Sequence, residues 1–324
     1  MTGRHILITG GAGFIGSNLS ERFLAQGDRV SVIDNFNDFY DPQVKRSNAA
    51  LFAGHKNYRL VEGDIRSDAS LDETFSAGPF DVVIHLAAMA GVRPSLEKPA
   101  HYFDVNVNGT QKLIDRIVPN VDKTRLVFAS SSSVYGEREG EPFKETDSVC
   151  RPISPYASTK ASNELQLYAC HHSTGLQVTC LRFFTVFGPR QRPDLAIHKF
   201  CHLINAGKPL ELFGDGSTRR DYTFVGDICQ GIEQAMTYKF EGYDIINLGR
   251  GEPVMLLEMV QTLEKHLGKK AEIVWKPMQT GDVPYTFADI SHARKVLGYN
   301  PQTSFDEGVR RFVEWFQSNK SVLV

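Results

Sequence analysis

The 324-residue chain predicts an α/β protein, a doubly wound parallel sheet joined to a second, smaller C-terminal α/β domain. Three observations point there: apolar runs of strand length recur through the first half, each run is continuous rather than alternating, and helical patterns separate them. Continuous Val, Ile and Leu mark strands buried on both faces, which a parallel sheet covered by helices requires.

In chain order the runs are "HILIT" at 5–9, "RVSVID" at 29–34, "YRLVEGD" at 58–64, "DVVIHLAA" at 81–88, "RLVFASS" at 125–131 and "QVTCLRFF" at 177–184. Helical patterns lie between them, for example Phe14 to Ala25 and Tyr102 to Ile117. After "VFGPRQRPD" the alternation breaks into Gly-, Pro- and charge-rich segments, "NAGKPLELFGDGSTRRDYTF" and "KPMQTGDVPYTFAD". "YDIINLG" at 243–249 is one more buried-strand pattern, expected to return to the first sheet. The expected division is therefore discontinuous, with residues 1–186 plus about 224–250 in one domain and about 187–223 plus 251–324 in the other.

Hydrophobic residues make up 41% of the chain, ample for a core of this size. Lys plus Arg number 36 and Asp plus Glu 38, so no broad basic face for nucleic acid and no polybasic membrane anchor is expected. The chain opens on "RHILITGG" with no signal-like segment and contains no 18-residue apolar run, so neither secretion nor membrane insertion is expected. The five cysteines form no C-x-x-C pair and do not cluster with histidines, which argues for reduced thiols in the cytoplasm and against a metal site.

"TGGAGFIG" at 9–16 follows the first strand and opens a helix. Gly10, Gly13 and Gly16, spaced three apart, permit a tight turn, close approach to a pyrophosphate and close packing of helix on sheet, the fingerprint of a Rossmann-type dinucleotide site. The helix N-terminus offers free N–H groups and a positive dipole end to the phosphates. Asp34, at the end of the second strand, can accept from a ribose 2′-hydroxyl and would repel a 2′-phosphate, which favours NAD over NADP. Asp64 follows the third strand and either sits beside the adenine or caps the next helix.

"FASSSSVYG" at 128–136 ends an apolar strand in four hydroxyls and no charge. Some twenty residues on, "SPYASTK" places Tyr156 and Lys160 four apart, on one face of a helix. A free tyrosine ionises at about 10; a neighbouring cation and a positive nicotinamide ring bring the phenol toward use as a base near neutral pH.

The glycine turn, the serine-rich strand end and Tyr156-x-x-x-Lys160 together resemble the extended short-chain dehydrogenase/reductase family, in its nucleotide-sugar-modifying branch. The resemblance runs from about residue 4 to residue 315 and includes "HLAA" at 85–88, "NVNGT" at 106–110 and "RRDYTFVGD" at 219–227. It implies further cofactor contacts from Phe14, Ile15, Asn35, Ile65, Leu86, Ala87 and Ala88, and a dimer formed through helices at about 101–118 and 155–174. Dehydratases of this branch carry an Asp-Glu pair after the strand-end hydroxyl, and its UDP-glucuronate decarboxylases a glutamate at the position of Ser133. Here Ser131, Ser132 and Ser133 supply no carboxylate, so the simplest chemistry left is reversible hydride transfer at a sugar carbon, with Tyr156, Lys160 and Ser131 as the catalytic set. Ser130 is expected to bond backbone groups.

"RFFTVFGPRQRPDLAIHKF", Arg182 to Phe200, resembles the UDP-glucuronate 4-epimerases. Galactose-type epimerases have asparagine where this chain has Thr185. The resemblance implies that Thr185 and Arg192 meet a sugar carboxylate, that Ser132 and Ser133 hold the sugar, and that Phe213, Arg220, Gln279 and Asp282 meet the nucleotide of a UDP-sugar. Three other readings stay open: a UDP-glucose/UDP-galactose 4-epimerase, a net oxidoreductase, and a non-catalytic NAD-binding regulator. His85 and His198 are expected to be satisfied core residues rather than catalysts.

Overall fold

The computed structural model describes residues 3–137, 140, 142–240, 242–277 and 285–319. Gln279 and Asp282 lie outside the described residues. Ten strands precede residue 250: β1 His5–Thr9, β2 Arg29–Asp34, β3 Tyr58–Glu62, β4 Val82–His85, β5 Arg125–Ser131, β6 Gln177–Phe183, β7 Thr185–Phe187, β8 Leu210–Phe213, β9 Arg219–Phe224 and β10 Tyr243–Leu248. Seven of them form one sheet in the order β10-β6-β5-β4-β1-β2-β3, and every pairing is parallel. The doubly wound sheet expected from the continuous apolar runs is the one observed, and β10 does return to its edge beside β6.

Alternation along each strand sends neighbours to opposite faces. Ile6 and Ile8 pack with Leu19 and Phe23 of the helix Phe14–Ala25 on one side, while Leu7 packs with Leu113, Ile114 and Ile117 on the other. Both faces of the central strands β1, β4 and β5 are dry, so these read as apolar runs, whereas the edge strand β3 is half exposed. Winding outward from β1 in one direction and from β4 in the other leaves a crevice at the carboxyl ends of these two strands, where open α/β sheets bind ligands.

The third and sixth runs end earlier than their sequence suggests. β3 stops at Glu62, leaving Asp64 in the loop, and β6 breaks at Phe184. One residue later the chain enters β7, which leaves the large sheet to pair with β9. With β9 stand β11 Pro253–Met255 and β13 Tyr285–Thr286; β8 pairs separately with β12 Ile273–Lys276. Thr185 therefore sits where the chain crosses from one sheet to the other.

The long helix predicted over Tyr102 to Ile117 contains a π-helical turn, Asp104–Asn108, between Pro99–Phe103 and Gly109–Ile117. The widened turn faces Asn106 inward, where its amide accepts from the Met89 N–H (2.7 Å) and donates to the Met89 carbonyl (3.0 Å) and to Thr159 Oγ1 (2.9 Å). That side chain ties the loop after β4 to the helix Pro155–Thr174.

Candidate active site

The helix Pro155–Thr174 starts where it does because Ser154 caps it, accepting from the Ala157 N–H at 3.2 Å, and Pro155 fills the first helical position. Tyr156 thus falls in the first turn, and Lys160 and Glu164 follow on the same face. That face meets β5, whose last residue is Ser131. Ser131 Oγ accepts from the Ser133 N–H at 3.2 Å and lies in hydrogen-bonding contact with the Tyr156 phenol.

Burial pushes the Tyr156 phenol up, opposed by the Ser131 hydrogen bond and by the Arg192 charge. The expected pairing of ammonium with phenol takes another form. Lys160, a fully desolvated cation, needs a strong acceptor and donates a hydrogen bond to the Ala129 carbonyl (2.7 Å), with Nζ 4.7 Å from the centre of the Phe128 ring. Burial brings the Lys160 ammonium down to about 8. The charge that acts on the phenol is that of Arg192.

Ser130 bonds a side chain, not the backbone groups expected of it: Oγ donates to Glu164 Oε1 at 2.5 Å. Glu164 also takes Nε and Nη2 of the buried Arg182, at 2.9 and 2.7 Å. Glu164 and Asn106 were not among the residues singled out in the sequence. "NVNGT" was the signal for Asn106; for Glu164 it was only the spacing of four after Lys160.

At the glycine turn, Gly10 has φ +69°, and a Cβ there would lie 2.9 Å from the Ala87 nitrogen. A Cβ at Gly16 would strike the Gly10 carbonyl oxygen and Gly11 Cα, both at 2.6 Å. No side chain caps the helix Phe14–Ala25, so its first N–H groups are free to meet an anion. Asp34, buried at the end of β2, accepts from the N–H groups of Ala12 (3.1 Å) and Phe36 (2.9 Å), and burial raises its carboxyl. Asp64 does not cap the next helix, since Ser67 does so. Burial works against the Asp64 charge, but bonds from Arg66 and from Asn35 Nδ2 (2.9 Å) outweigh it and pull the carboxyl down to about 2. These residues fit a dinucleotide: a cradle that only glycine allows, a free helix N-terminus and a carboxylate at the ribose position.

One cavity of about 550 Å³ joins the two ends. Gly10, Gly13, Phe14, Ile15, Gly16, Asp34, Asn35, Asp64, Ile65, Leu86, Ala87 and Ala88 line its cofactor side. Ser131, Ser132, Ser133, Tyr156, Lys160, Thr185 and Arg192 line the other. Phe213 and Arg220 are not among its lining residues; they sit on β8 and β9 of the smaller sheets. Arg192 is clamped by Asp194 through Nε (2.9 Å) and Nη2 (2.6 Å), and its guanidinium lies 4.9 Å from the centre of the Phe39 ring. Neither Asp194 nor Phe39 was flagged in the sequence, because their role depends on a fold that brings residue 39 to residue 192.

His85 is held between Thr9 Oγ1 (2.7 Å) and Thr110 Oγ1 (2.8 Å), and burial lowers its ring to about 3. His198 bonds the Gln191 carbonyl at 2.7 Å and packs against Phe312 and Phe316. Among the described residues no group of three or more His, Cys, Asp or Glu side chains is arranged to hold a metal ion, and no helix is long and apolar enough to cross a membrane.

A doubly wound sheet, a glycine-lined dinucleotide cradle and a Ser–Tyr–Lys group at one crevice define an extended short-chain dehydrogenase/reductase. The chain belongs to the GDP-mannose 4,6 dehydratase family, whose model matches residues 7–312. A UDP-glucuronate 4-epimerase from Thermodesulfobacterium geofontis is 40% identical over 316 residues, 97% of this chain and 97% of the relative. The crystal structure of UDP-glucuronic acid 4-epimerase from Bacillus cereus, in complex with UDP-glucuronic acid and NAD, superposes with a TM-score of 0.89 at 34% identity, covering 97% of this chain and 99% of that one. UDP-glucose 4-epimerase from Thermotoga maritima, with UDP-glucose, gives a TM-score of 0.88 at 31% identity, covering 97% and 99%.

His85 makes acid stability testable. Its ring stays neutral in the native state down to about 3, whereas in the unfolded chain it takes a proton below 6.5. Its contribution is complete above that upper value and is lost as pH falls toward the lower one. Between pH about 6.5 and about 4, wild-type melting temperature should fall more steeply than that of His85→Gln; equal slopes would contradict the buried neutral ring.

Proposed function

We propose that the protein is an NAD-dependent 4-epimerase that converts UDP-glucuronate to UDP-galacturonate. The observation that carries the reading is a single cavity holding the dinucleotide cradle, the Ser131–Tyr156–Lys160 group, and Thr185 with Arg192. Identity to UDP-glucuronate 4-epimerases along nearly the whole chain supports it. The dehydratase in the family's name has no counterpart at the strand end, where Ser132 and Ser133 offer no carboxylic acid to drive an elimination.

When bound, NAD supplies a reversible hydride acceptor. The cradle of Gly10, Gly13 and Gly16, with Asp34 at the ribose, holds it. Tyr156 takes the proton of the sugar 4-hydroxyl as carbon 4 is oxidised, and gives it back as the keto group is reduced from the other face. Ser131, in contact with the phenol, orients both groups; Lys160 adds positive charge that favours phenolate. Ser132 and Ser133 line the sugar side as uncharged hydrogen-bonding groups.

Oxidation at carbon 4 of a uronate creates a ketone β to a carboxylate, which invites loss of carbon dioxide. Thr185 and Arg192 counter this by fixing the orientation of the carboxylate. The Nε–Nη2 edge of Arg192 rests on Asp194, so the Nη1 side is the one that meets substrate. The nucleotide half of the substrate lies toward residues 187–223 and 251–324, with Phe213, Arg220, Gln279 and Asp282 as its contacts. The cofactor half comprises residues 1–186 plus about 224–250. A cytoplasmic location follows the reduced cysteines.

The protein is a homodimer in this reading. Leu165 and Tyr168, 71% and 54% exposed, project from the helix Pro155–Thr174, and Phe103, 40% exposed, from its neighbour. Such apolar area on adjacent helices is what an isologous helical interface buries. Sedimentation at micromolar concentration should give a dimer that Leu165→Arg converts to monomer; a wild-type monomer would contradict the interface.

Purified protein given UDP-glucuronate without added NAD should produce UDP-galacturonate by NMR with no net NADH. Comparable turnover of UDP-glucose would move the assignment to the neutral-sugar epimerases, and a pentose product would refute the reading of the serines. A hydrogen bond to a charged group contributes about 1.5–3 kcal/mol, so Arg192→Ala should raise KM for UDP-glucuronate by about 10- to 150-fold. An unchanged KM would remove Arg192 from the uronate site.

A further inference from the structure

The chain leaves β7 at Phe187 and reaches Arg192 through Gly188, Pro189, Arg190 and Gln191. Two of these residues have positive φ, Gly188 at +142° and Arg190 at +68°. Glycine takes such angles freely, but an arginine in the left-handed region is strained and stays there only if its surroundings hold it. What holds Arg190 is the helix Phe14–Ala25. Arg190 is 7% exposed, and its Nη2 donates to Asn18 Oδ1 (2.9 Å) and to Glu21 Oε2. Asn18 answers through Nδ2, which donates to the Pro189 carbonyl (3.2 Å) and to the Phe14 carbonyl of its own helix (2.9 Å). Asn18 and Glu21 stand three apart on one helix face, so the loop is fastened to that face from two sides.

The place of the fastening gives it a consequence. Arg190 is not among the lining residues of the cavity, whereas Arg192, two residues on, is. In extended chain, residues two apart point the same way; the left-handed backbone at Arg190 breaks that parity and lets one arginine turn to the helix and the other to the cavity. The loop is confined on its other sides as well. A Cβ at Gly188 would lie 2.6 Å from Val225 Cγ1, on the helix Val225–Thr237, and the His198 ring bonds the Gln191 carbonyl at 2.7 Å. Apolar packing would stabilise such a spot at least as well as a buried guanidinium does, but it would not fix the register of the loop against the helix.

We propose that Arg190 is a positioning residue for uronate recognition: by tying its loop to the helix Phe14–Ala25, it sets the place from which Arg192 meets the sugar carboxylate. Asp194 and Phe39 hold the Arg192 guanidinium itself, and Arg190 holds the backbone that carries it. Asn18 and Glu21 are the partners through which Arg190 acts. The inference rests on the uronate reading of Arg192 and goes beyond it by assigning the residue that presents that arginine.

The test measures KM and kcat for UDP-glucuronate, and the inhibition constant of UDP-glucose as competitor, on the full-length protein with excess NAD. Wild type is compared with Arg190→Met, Arg190→Lys, Arg192→Ala and the double variant of Arg190→Met with Arg192→Ala. Arg190→Met should raise KM for UDP-glucuronate by about five-fold or more and leave kcat and the UDP-glucose constant within about two-fold, and Arg190→Lys should recover part of the loss. In the Arg192→Ala background, Arg190→Met should change KM by less than about two-fold, because the two residues act as one unit. An unchanged KM, an equal loss for UDP-glucose, or the full loss repeated in the Arg192→Ala background would each overturn the proposal. If Arg190→Met does not fold, Arg190→Gly, whose backbone takes the positive φ without strain, is measured in the same way. A wild-type protein that turns over UDP-glucose as well as UDP-glucuronate would refute the uronate reading itself, an outcome separate from failure of the variant comparison.

Discussion

Glu164 and Arg182 meet in the dry space between the helix Pro155–Thr174 and the large sheet, and Ser130 adds its hydroxyl to the same carboxylate. Three elements are joined there: the helix carrying Tyr156 and Lys160, the strand ending in Ser131, and the strand that leads to Thr185. Breaking a buried pair of this kind by removing one partner costs about 3–5 kcal/mol. The contact also fixes which way the helix face points. Tyr156 stands eight residues before Glu164 and Lys160 four before it, so anchoring Glu164 brings the phenol to the strand end where Ser131 waits.

Charge placement along the cavity follows a similar logic. Asp34 is a buried acid in the cavity wall, and Lys45, Lys160 and Arg192 are cations that line the same cavity. A dinucleotide and a nucleotide diphosphate uronate both carry an anionic diphosphate, while the chain as a whole carries a formal charge of -2. The attraction is therefore local, built from side chains that the fold desolvates, where each charge acts more strongly than it would at the surface. Asp194 and Phe39 hold the Arg192 guanidinium from two sides and limit its motion before any ligand arrives.

Much of this was legible in the sequence, for physical reasons. Parallel strands covered on both faces must be apolar throughout, so "HILIT" and "DVVIHLAA" announce themselves; a turn under a phosphate must be glycine, so Gly10 and Gly16 do too. Tyr156 and Lys160 share a helix face by their spacing, and the glycine turn and serine-rich strand end that precede them single the pair out. What stayed hidden depends on contacts between distant residues. Lys45 sits in "DPQVKRSN", which reads as an ordinary solvated helix face until Asn48 is seen docked on Ala12. The π-turn at Asp104–Asn108 interrupts a pattern that is helical by periodicity, and its Asn106 bonds Met89, Thr159 and Asn163, partners that periodicity does not reveal.

The central claim is that one cavity removes a hydride from carbon 4 of the sugar and returns the same hydride to the opposite face. The most direct measurement follows UDP-glucuronate carrying deuterium at carbon 4 through turnover in ordinary water. The account predicts that the epimer retains the deuterium at carbon 4. Replacement of that deuterium by hydrogen from solvent would mean inversion by proton exchange, and would contradict it.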